Sequence, residues 1–454
     1  MNELTIPPEI AATPPAVDQT KQPPMKLAII GAGISGLVAA YRLHREHDIT
    51  VFEANDYVGG HTNTIPIELD GEHHAIDTGF IVYNDWTYPN FIALLDELGV
   101  ASQPTKMSFS VRDDRSGLEY NGESLNTLFA QRRNLLRPSF YRLIADILRF
   151  NREAQRLVAA HDEATTVGEF LSRYGYSRPF AEQYLLPMGA AIWSCPIGTF
   201  SQFPIRFIVD FYRNHGLLSV IRRPTWRVIV GGSQTYVQAM TRGFGDRIRL
   251  RTPVRSVRRL PNQVIVQPRG GEPEPFEQVI FACHSDQALR ILGDDATATE
   301  RDILAKFPYG RNVAVLHTDS SLLPQARRAW AAWNYRVRGD DGAPASVTYN
   351  MNILQGLRSR NTFCVTLNDE TSITPARVLR RFEYDHPIFT TQRAAAQARH
   401  AELLNVNRTS YCGAYWRNGF HEDGVVSALA VVNALRSAST TEAHSATSLA
   451  GVAS

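Results

Sequence analysis

The chain has 454 residues, of which 44% are apolar and 20% are charged, and its formal net charge at pH 7 is +2. This composition is ordinary for a folded globular protein and excludes a chain that is mostly disordered or fibrous. Domains that bind nucleic acid usually carry a basic excess, which is missing here, so we expect no nucleic-acid partner.

The N-terminal region predicts a tail followed by a strand, a helix and a second strand. Residues 1–24 are rich in Pro, Thr and Gln and lack a cationic start followed by an apolar block. We therefore expect a flexible tail, no export signal and a cytoplasmic location. The apolar run 27–30, the amphipathic stretch 35–44 and the run 50–53 then have the periods of strand, helix and strand.

The turn between the first strand and the helix carries a dinucleotide-binding signature, Gly31-Ala32-Gly33-Ile34-Ser35-Gly36. Gly31 permits the tight turn, Gly33 lets the backbone approach a pyrophosphate, and Gly36 lets the helix pack closely on the strand. The N–H groups of the helix N-terminus face the anion. Glu53 ends the second strand, where its carboxylate can accept the hydroxyls of an adenosine ribose. These residues fit NAD and FAD equally.

The rest of the chain alternates between helical and strand patterns. Apolar residues at three- and four-residue spacing predict a helical block over 124–193, and short apolar runs between turns predict strands over 247–282. Mixed strands and helices follow over 306–400. A glycine-containing loop then leads into a helix over about 424–435, and the Ser/Thr/Ala-rich stretch 437–454 predicts a second flexible tail.

The cysteines and basic residues give weaker signals. The cysteines are too widely spaced for a disulfide framework or a zinc site, so we expect free thiols and no bound metal: Cys195, Cys283, Cys364 and Cys412. No apolar run approaches the roughly 20 residues that span a bilayer, so membrane contact is expected to be peripheral. Arginine runs at 132–133, 222–223 and 247–259 fit either an anionic lipid surface or the solvated face of a sheet, and we favour the solvated face.

Two motifs after Glu53 extend the cofactor signature, Gly59-Gly60-His61-Thr62-Asn63-Thr64 and Asp77-Thr78-Gly79-Phe80. Four more segments follow in order: Val230–Ser233, the strands around Val254–Val257, Val279–Ala282 and a closing segment from Cys412 to Val425. Together these motifs resemble the flavin amine oxidase, protoporphyrinogen oxidase and phytoene desaturase superfamily. The phrase Gly-Gly-His-Thr-Asn-Thr is similar to that of a bacterial branch often associated with cyclopropane fatty-acid synthase-like proteins, which suggests lipid chemistry.

The resemblance implies an α/β fold in which a Rossmann-like FAD-binding domain is interleaved with an α+β substrate domain, the two-domain arrangement of amine oxidases. The expected FAD-binding segments are 25–105, 225–290 and 401–436. The substrate domain is expected to consist of residues 106–224, which should be helical, and residues 291–400. The resemblance also implies non-covalent FAD, held by residues of these motifs: Gly31, Gly33, Ile34, Ser35, Gly36, Glu53, Gly59, Gly60, His61, Thr62, Val254, Gly413, Gly424 and Val425.

The sequence departs from the family pattern at two places. His61 stands where the family usually has an arginine, so a titratable ring replaces a fixed charge. The strand after Phe307–Gly310 lacks the lysine that amine oxidases carry near flavin N5. Lys106 and Lys306 remain candidates for an active-site role, and we favour the interpretation that both are ordinary surface residues. Amine oxidation is therefore disfavoured. The family's aromatic frame for the substrate is assigned to Phe420, in the closing segment, and Trp416, just upstream.

From these features we expect an FAD-dependent oxidoreductase, an oxidase or desaturase, that removes hydride from a hydrophobic substrate, with a lipid or fatty-acyl chain as the leading class. Three alternatives stay open: a conventional flavin amine oxidase, a non-catalytic flavin-binding accessory of a lipid-modifying enzyme, and a nicotinamide dehydrogenase. A peripheral membrane contact and a lipid-modifying partner enzyme are further candidates.

Overall fold

A computed structural model describes residues 23–159, 165–193, 197–219, 223–338, 346–390 and 392–450. The tail expected at 1–24 lies almost entirely outside these residues, as does the end of the tail expected at 437–454. No helix in the described ranges is both long and apolar enough to cross a membrane.

Within these ranges the chain forms the following strands and helices. The strands are β1 (Lys26–Ile30), β2 (Asp48–Phe52), β3 (Thr64–Leu69), β4 (Glu72–Asp77), β5 (Tyr83–Asn84), β6 (Ser102–Pro104), β7 (Phe109–Asp113), β8 (Leu118–Asn121), β9 (Trp226–Ile229), β10 (Ile248–Arg249), β11 (Val254–Arg259), β12 (Val264–Pro268), β13 (Glu274–Phe276), β14 (Gln278–Phe281), β15 (Tyr309–His317), β16 (Trp333–Val337), β17 (Ser346–Asn350), β18 (Cys364–Leu367), β19 (Val378–Pro387) and β20 (Thr409–Tyr411). The helices are α1 (Ile34–Leu43), α2 (Pro89–Leu98), α3 (Leu125–Leu128), α4 (Pro138–Ala159), α5 (Val167–Arg173), α6 (Arg178–Phe180), α7 (Leu186–Ile192), α8 (Ile197–Ser201), α9 (Ile205–Asn214), α10 (Gln234–Thr241), α11 (Ser285–Leu292), α12 (Ala298–Leu304), α13 (Met351–Leu354), α14 (Arg393–Ala398) and α15 (His421–Ala450).

The first sheet is parallel, with the strand order β10-β2-β1-β14-β20. Its central strands are short apolar runs that are buried on both faces, which is the pattern that parallel sheets require. The helix α1 starts directly after the glycine turn that follows β1, and α15 follows the last strand, β20. This part of the fold is the Rossmann-like unit that the sequence predicts.

The second sheet has the order β19-β15-β18-β17-β16-β7-β8 and is antiparallel except for the pair of β16 with β7. The helices α4 to α9 pack beside it around a hydrophobic core of its own, separate from the cores of the parallel sheet. The α/β fold with a Rossmann-like unit and an α+β unit is therefore confirmed.

Two details differ from the sequence prediction. The segment 106–224, expected to be helical, opens with the strands β7 and β8, which are mostly buried at the end of the second sheet, where β7 pairs with β16 and β8 pairs with β7. The last helix, expected over 424–435, runs from His421 to Ala450, so most of the tail expected at 437–454 is helical. Residues 437–450 contain neither glycine nor proline and are rich in alanine, which has the highest helix propensity.

Candidate active site

A single continuous cleft joins the two ends of the chain's glycine-rich signature. Its volume is about 970 Å³, and its lining includes Gly31 and Gly33 of the first turn together with Gly413 and Phe420 of the closing segment. The two stretches also touch directly, since a Cβ atom added to Gly424 would lie 2.7 Å from Ile34 Cγ2. The volume is at the upper end of the roughly 300–1,000 Å³ typical of cofactor and ligand sites.

The glycine turn after β1 has the geometry that a phosphate-binding turn needs. Gly31 has φ +108°, which L side chains rarely adopt, and a Cβ atom on Gly36 would lie 1.9 Å from the carbonyl oxygen of Gly31. Gly33 differs, because a Cβ atom there would meet nothing within 4 Å and the residue lines the cleft. The N–H groups of the first turn of α1 have no partners within the helix and are available to an anion.

Glu53 is held rigidly at the cleft by backbone hydrogen bonds. Its Oε2 accepts the N–H of Ala32 at 2.8 Å, and its Oε1 accepts the N–H of Asn55 at 2.8 Å. Each oxygen retains a lone pair that a ribose hydroxyl can use. Val254 lines the same end of the cleft, next to Arg255.

The second glycine segment packs on the first. The N–H of Gly59 donates to the carbonyl of Ala32 at 2.9 Å, and a Cβ atom on Gly60 would lie 3.1 Å from Gly33 Cα. This contact brings the next residue, His61, into the wall of the cleft.

His61 belongs to a group of rings that we call the histidine cluster: His61, His284 and His386. The ring centroid of His61 lies 6.4 Å from that of His284 and 5.2 Å from that of His386. Burial lowers the pKa of His61 to about 4, of His284 to about 4 and of His386 to about 3. All three rings are therefore neutral at pH 7. The Nε2 atom of His61 is buried without a hydrogen-bond partner, which leaves it available to a ligand in the cleft.

Two buried polar groups join the cofactor-binding segments behind this wall. Asp77 accepts hydrogen bonds from Thr64 Oγ1 at 2.5 Å and from the N–H of Ser233 at 2.9 Å, and burial raises its pKa to about 6. The hydroxyl of Tyr236 lies 2.6 Å from Thr62 Oγ1 and 2.7 Å from His421 Nε2. These bonds fix the second glycine segment to α10 and to the start of α15.

The other half of the cleft is walled by aromatic rings. Phe420 stacks on Phe211 at a centroid distance of 5.1 Å, and Trp193 contacts Phe211 at 4.8 Å. Phe389 and Trp333 line the same cavity. His215, which stacks on Phe211 at 3.8 Å, is also uncharged at neutral pH, because burial lowers its pKa to about 4.

The structure separates the predicted site residues into two groups. Eleven line the cleft: Gly31, Gly33, Ile34, Ser35, Glu53, Gly59, Gly60, His61, Val254, Gly413 and Phe420. Four lie behind the lining and support it: Gly36, Thr62, Gly424 and Val425. Trp416 is a correction, because it is 4% exposed and packs away from the cleft against His400 and Phe307. The short helical turn Ala414–Trp416 directs its ring into the core beside the parallel sheet.

The lysines and cysteines add no reactive group to the lining. Among the described residues no lysine lines the cleft, and Lys106 is an exposed residue near Glu123. Cys412 is fully buried outside the lining, whereas Cys283 lines the cleft and burial raises the pKa of its thiol to about 12. Cys195 lies outside the described residues. No group of three metal-ligating side chains occurs in the described part of the chain.

Sequence reasoning missed most of the cavity's other walls. His284 comes three residues after the end of β14, and the rule that ligands bind at the carboxyl ends of parallel strands could have placed it in the cleft. His386, Phe211 and His215 come from β19 and the end of α9, far away in sequence. Their patterns are those of ordinary buried residues, so nothing local marks them.

Comparisons with known proteins place the chain in a family. The chain matches the family described as "Flavin containing amine oxidoreductase" over residues 34–324. Among curated proteins, a segment of 42 residues, 9% of this chain, is 50% identical to the 4,4'-diapophytoene desaturase (4,4'-diaponeurosporene-forming) of Staphylococcus aureus strain Newman, and it spans 8% of that protein's length.

Solved structures share the fold over almost the whole chain. Cyclohexylamine oxidase from Brevibacterium oxydans IH-35A is 16% identical, with a TM-score of 0.66 over 91% of this chain and 100% of that one. A CLA-producing fatty acid isomerase from P. acnes is 15% identical, with a TM-score of 0.64 over 90% of this chain and 98% of that one. At these identities the similarity shows the fold alone.

Proposed function

The chain belongs to the family of flavin-containing amine oxidoreductases and is a flavin-dependent oxidoreductase, and on that premise we propose that it uses non-covalently bound FAD to remove hydride from a hydrophobic substrate, with a fatty-acyl chain as the leading candidate. The observation that carries the proposal is the aromatic half of the cleft, which continues directly from the glycine-lined half.

Several features support FAD as the cofactor. The open space at Gly33 suits a pyrophosphate beside the N-terminus of α1, and the lone pairs of Glu53 suit a ribose. The unpaired Nε2 of His61 supplies a hydrogen-bonding group farther along the cleft. When bound, FAD supplies the hydride acceptor of the reaction.

Non-covalent binding is supported by the state of the thiols. A thiol attacks only as the thiolate, and the raised pKa of Cys283 keeps it protonated at pH 7. Burial also raises the pKa of Cys412, which does not line the cleft.

The residues of the aromatic half orient the substrate and exclude water. Phe420, Phe211 and Trp193 form a connected set of rings that offers an apolar chain a large contact surface. The described lining contributes no lysine that could hold a water or a proton at this end. The fatty acid isomerase and the diapophytoene desaturase named above are in keeping with such a substrate.

The cofactor is tested on the purified full-length protein. We expect a yellow protein that releases FAD on denaturation, identified by mass spectrometry, with no colour left in the precipitated chain. A colourless protein would support a nicotinamide dehydrogenase instead, and colour that stays with the precipitate would contradict non-covalent binding.

The substrate class is tested by anaerobic titration of the flavin absorbance. Fatty-acyl lipids are expected to bleach the flavin and a panel of amines to leave it oxidised. Bleaching by amines with release of peroxide in air would support a conventional amine oxidase. If a lipid extract of the source cells and the amines both leave the flavin oxidised, a non-catalytic accessory role is favoured.

We extend the proposal to location and partner. A cytoplasmic enzyme that works on lipids would act beside a lipid-modifying enzyme, and co-purification with the tagged full chain tests this directly. Recovery of the tagged chain alone would contradict the partner, and secretion of the chain into the medium would contradict the location.

A further inference from the structure

An unusual set of apolar side chains is exposed on one side of the helical part of the fold. We call it the leucine face, and it covers α3, the short 3-10 helix Arg132–Leu136 and the outer side of α4. Its exposed members are Leu125 (77% exposed), Leu135 (48%), Leu136 (87%), Tyr141 (48%) and Leu148 (53%). Large apolar side chains that cluster on a surface mark an interaction site more often than scattered ones do.

The leucine face is also strongly basic. Residues 125–159 contain seven arginines and two acidic residues, whereas the whole chain has a net charge of only +2. One of the two acids, Asp146, is buried and is already paired with Arg142 and Arg149. The surface that remains exposed is therefore cationic.

Three of the arginines are held in position without an acidic partner among the described residues. Arg132 donates to the carbonyl of Phe129 and to Asn126 Oδ1, and Arg133 and Arg137 donate to the backbone carbonyls of residues 117 and 116. Their charges are not neutralised by these bonds. Contrary to the sequence interpretation, Arg132 and Arg133 lie on a helical turn between exposed leucines and not on the solvated face of a sheet.

The combination of exposed leucines, a tyrosine and unneutralised arginines has the chemistry of a bilayer interface. Leucine side chains enter the acyl boundary, tyrosine sits at the level of the headgroups, and arginines bind lipid phosphates. A protein partner of opposite charge would need acidic groups interleaved with apolar pockets, whereas an anionic membrane supplies phosphates and an apolar layer together.

The face also lies close to the cavity. The inner side of α4 carries Phe150, which is fully buried in the core that includes Phe211 of α9. Phe211 lines the cavity and α4 packs against α9, so α9 connects the helix of the leucine face to the aromatic half of the cleft.

We propose that the leucine face docks this protein on the surface of a bilayer that contains anionic lipid. The docking goes beyond the proposed function and holds whether or not the substrate proves to be an acyl chain. It differs from a transmembrane anchor, since only side chains enter the membrane.

The test is co-sedimentation of the flavin-loaded full chain with two kinds of vesicle. One consists of phosphatidylcholine alone, and the other contains in addition about 30% phosphatidylglycerol, a share of anionic lipid chosen to imitate an anionic membrane leaflet. We expect the vesicle partition coefficient to be at least about tenfold higher on the anionic vesicles and to fall as salt is raised, because the attraction is screened.

Two variants and matched controls locate the contact. Leu136→Glu and the double change Arg132→Glu with Arg133→Glu are each expected to lower partition by at least about tenfold, since each removes an apolar or a cationic anchor. The controls make the same changes on β19, at the opposite edge of the sheet from β8 and α3. They are Val378→Glu, a residue 40% exposed, and Arg380→Glu with Arg381→Glu, and they are expected to bind like the parent.

The outcomes separate the proposal from its rivals. Partition of the leucine-face variants equal to that of the parent would overturn it, as would equal binding to neutral and anionic vesicles. If the parent fails to bind any vesicle and elutes as an oligomer that Leu136→Glu converts to a monomer, the face is an interface between copies of this chain and the proposal is wrong. Unchanged flavin absorbance and unchanged thermal midpoint in each variant show that the comparison is made on folded protein.

Discussion

Replacing Gly33 with alanine is expected to separate cofactor binding from folding. Gly33 has an extended conformation, φ −75° and ψ −178°, that alanine adopts freely, and the added Cβ atom would meet nothing within 4 Å. Two small effects on stability oppose each other: alanine restricts the unfolded chain, and glycine is the better residue at a helix N-cap. The free energy of unfolding of the apoprotein should change by less than about 1 kcal/mol.

The same methyl group projects into the cleft beside the N-terminus of α1, where the pyrophosphate is proposed to lie. Losing one charge-assisted hydrogen bond from backbone N–H to phosphate removes about 1.5–3 kcal/mol, which raises the FAD dissociation constant about 10- to 100-fold. The assay is titration of the apoprotein with FAD by flavin fluorescence, with urea unfolding of the apoprotein measured in parallel.

Gly36→Ala is the contrasting variant. Its Cβ atom would lie 1.9 Å from the carbonyl oxygen of Gly31, so the turn and the helix must move apart. Overpacking of this kind destabilises by about 1–3 kcal/mol, and both stability and FAD affinity should fall. The reasoning is refuted if Gly33→Ala binds FAD as tightly as the parent, because the cofactor would then not pass over this residue.

Three further predictions concern the walls of the cleft. Tyr236→Phe leaves Thr62 Oγ1 and His421 Nε2 without their partner, so urea unfolding should show a loss of about 1–3 kcal/mol, and an unchanged midpoint would contradict the bridging role. The three rings of the histidine cluster have pKa values below the usual 6.5, so below pH 6.5 the unfolded chain binds protons that the folded chain does not. The free energy of unfolding should therefore be highest above pH 6.5. It should fall toward pH 4 by about 1.4 kcal/mol per pH unit for each ring that stays neutral. Stability that is flat from pH 7 to 5 would show that the rings are hydrated. The variant Phe420→Ala should retain FAD but have a higher KM for the substrate. A KM equal to that of the parent would show that Phe420 does not contact the substrate.

The parts of the site that the sequence predicts are those set by local backbone geometry. The turn from Gly31 to Gly36 and the carboxylate of Glu53 occur within one strand-helix-strand unit, where spacing alone decides which groups meet. The aromatic half depends on contacts between α9, β19 and the segment before α15, which are distant in sequence. Trp416 illustrates the limit: it lies four residues before Phe420, yet its ring packs into a different core.

The two departures from the family pattern have a common electrostatic consequence. A lysine is missing from the strand β15, and an arginine is replaced by His61, so the cleft wall at these places carries no fixed positive charge at pH 7. The carboxylates of the described lining are Glu53, at the ribose end, and Glu383 and Asp385, which are exposed on β19. An ammonium ion entering the aromatic half would gain contact with the faces of the rings, but it would lose its hydration without a buried carboxylate among the described lining of that half. A neutral apolar chain loses no such hydration and gains the contact surface of the rings, which is the physical basis for proposing an apolar substrate in preference to an amine.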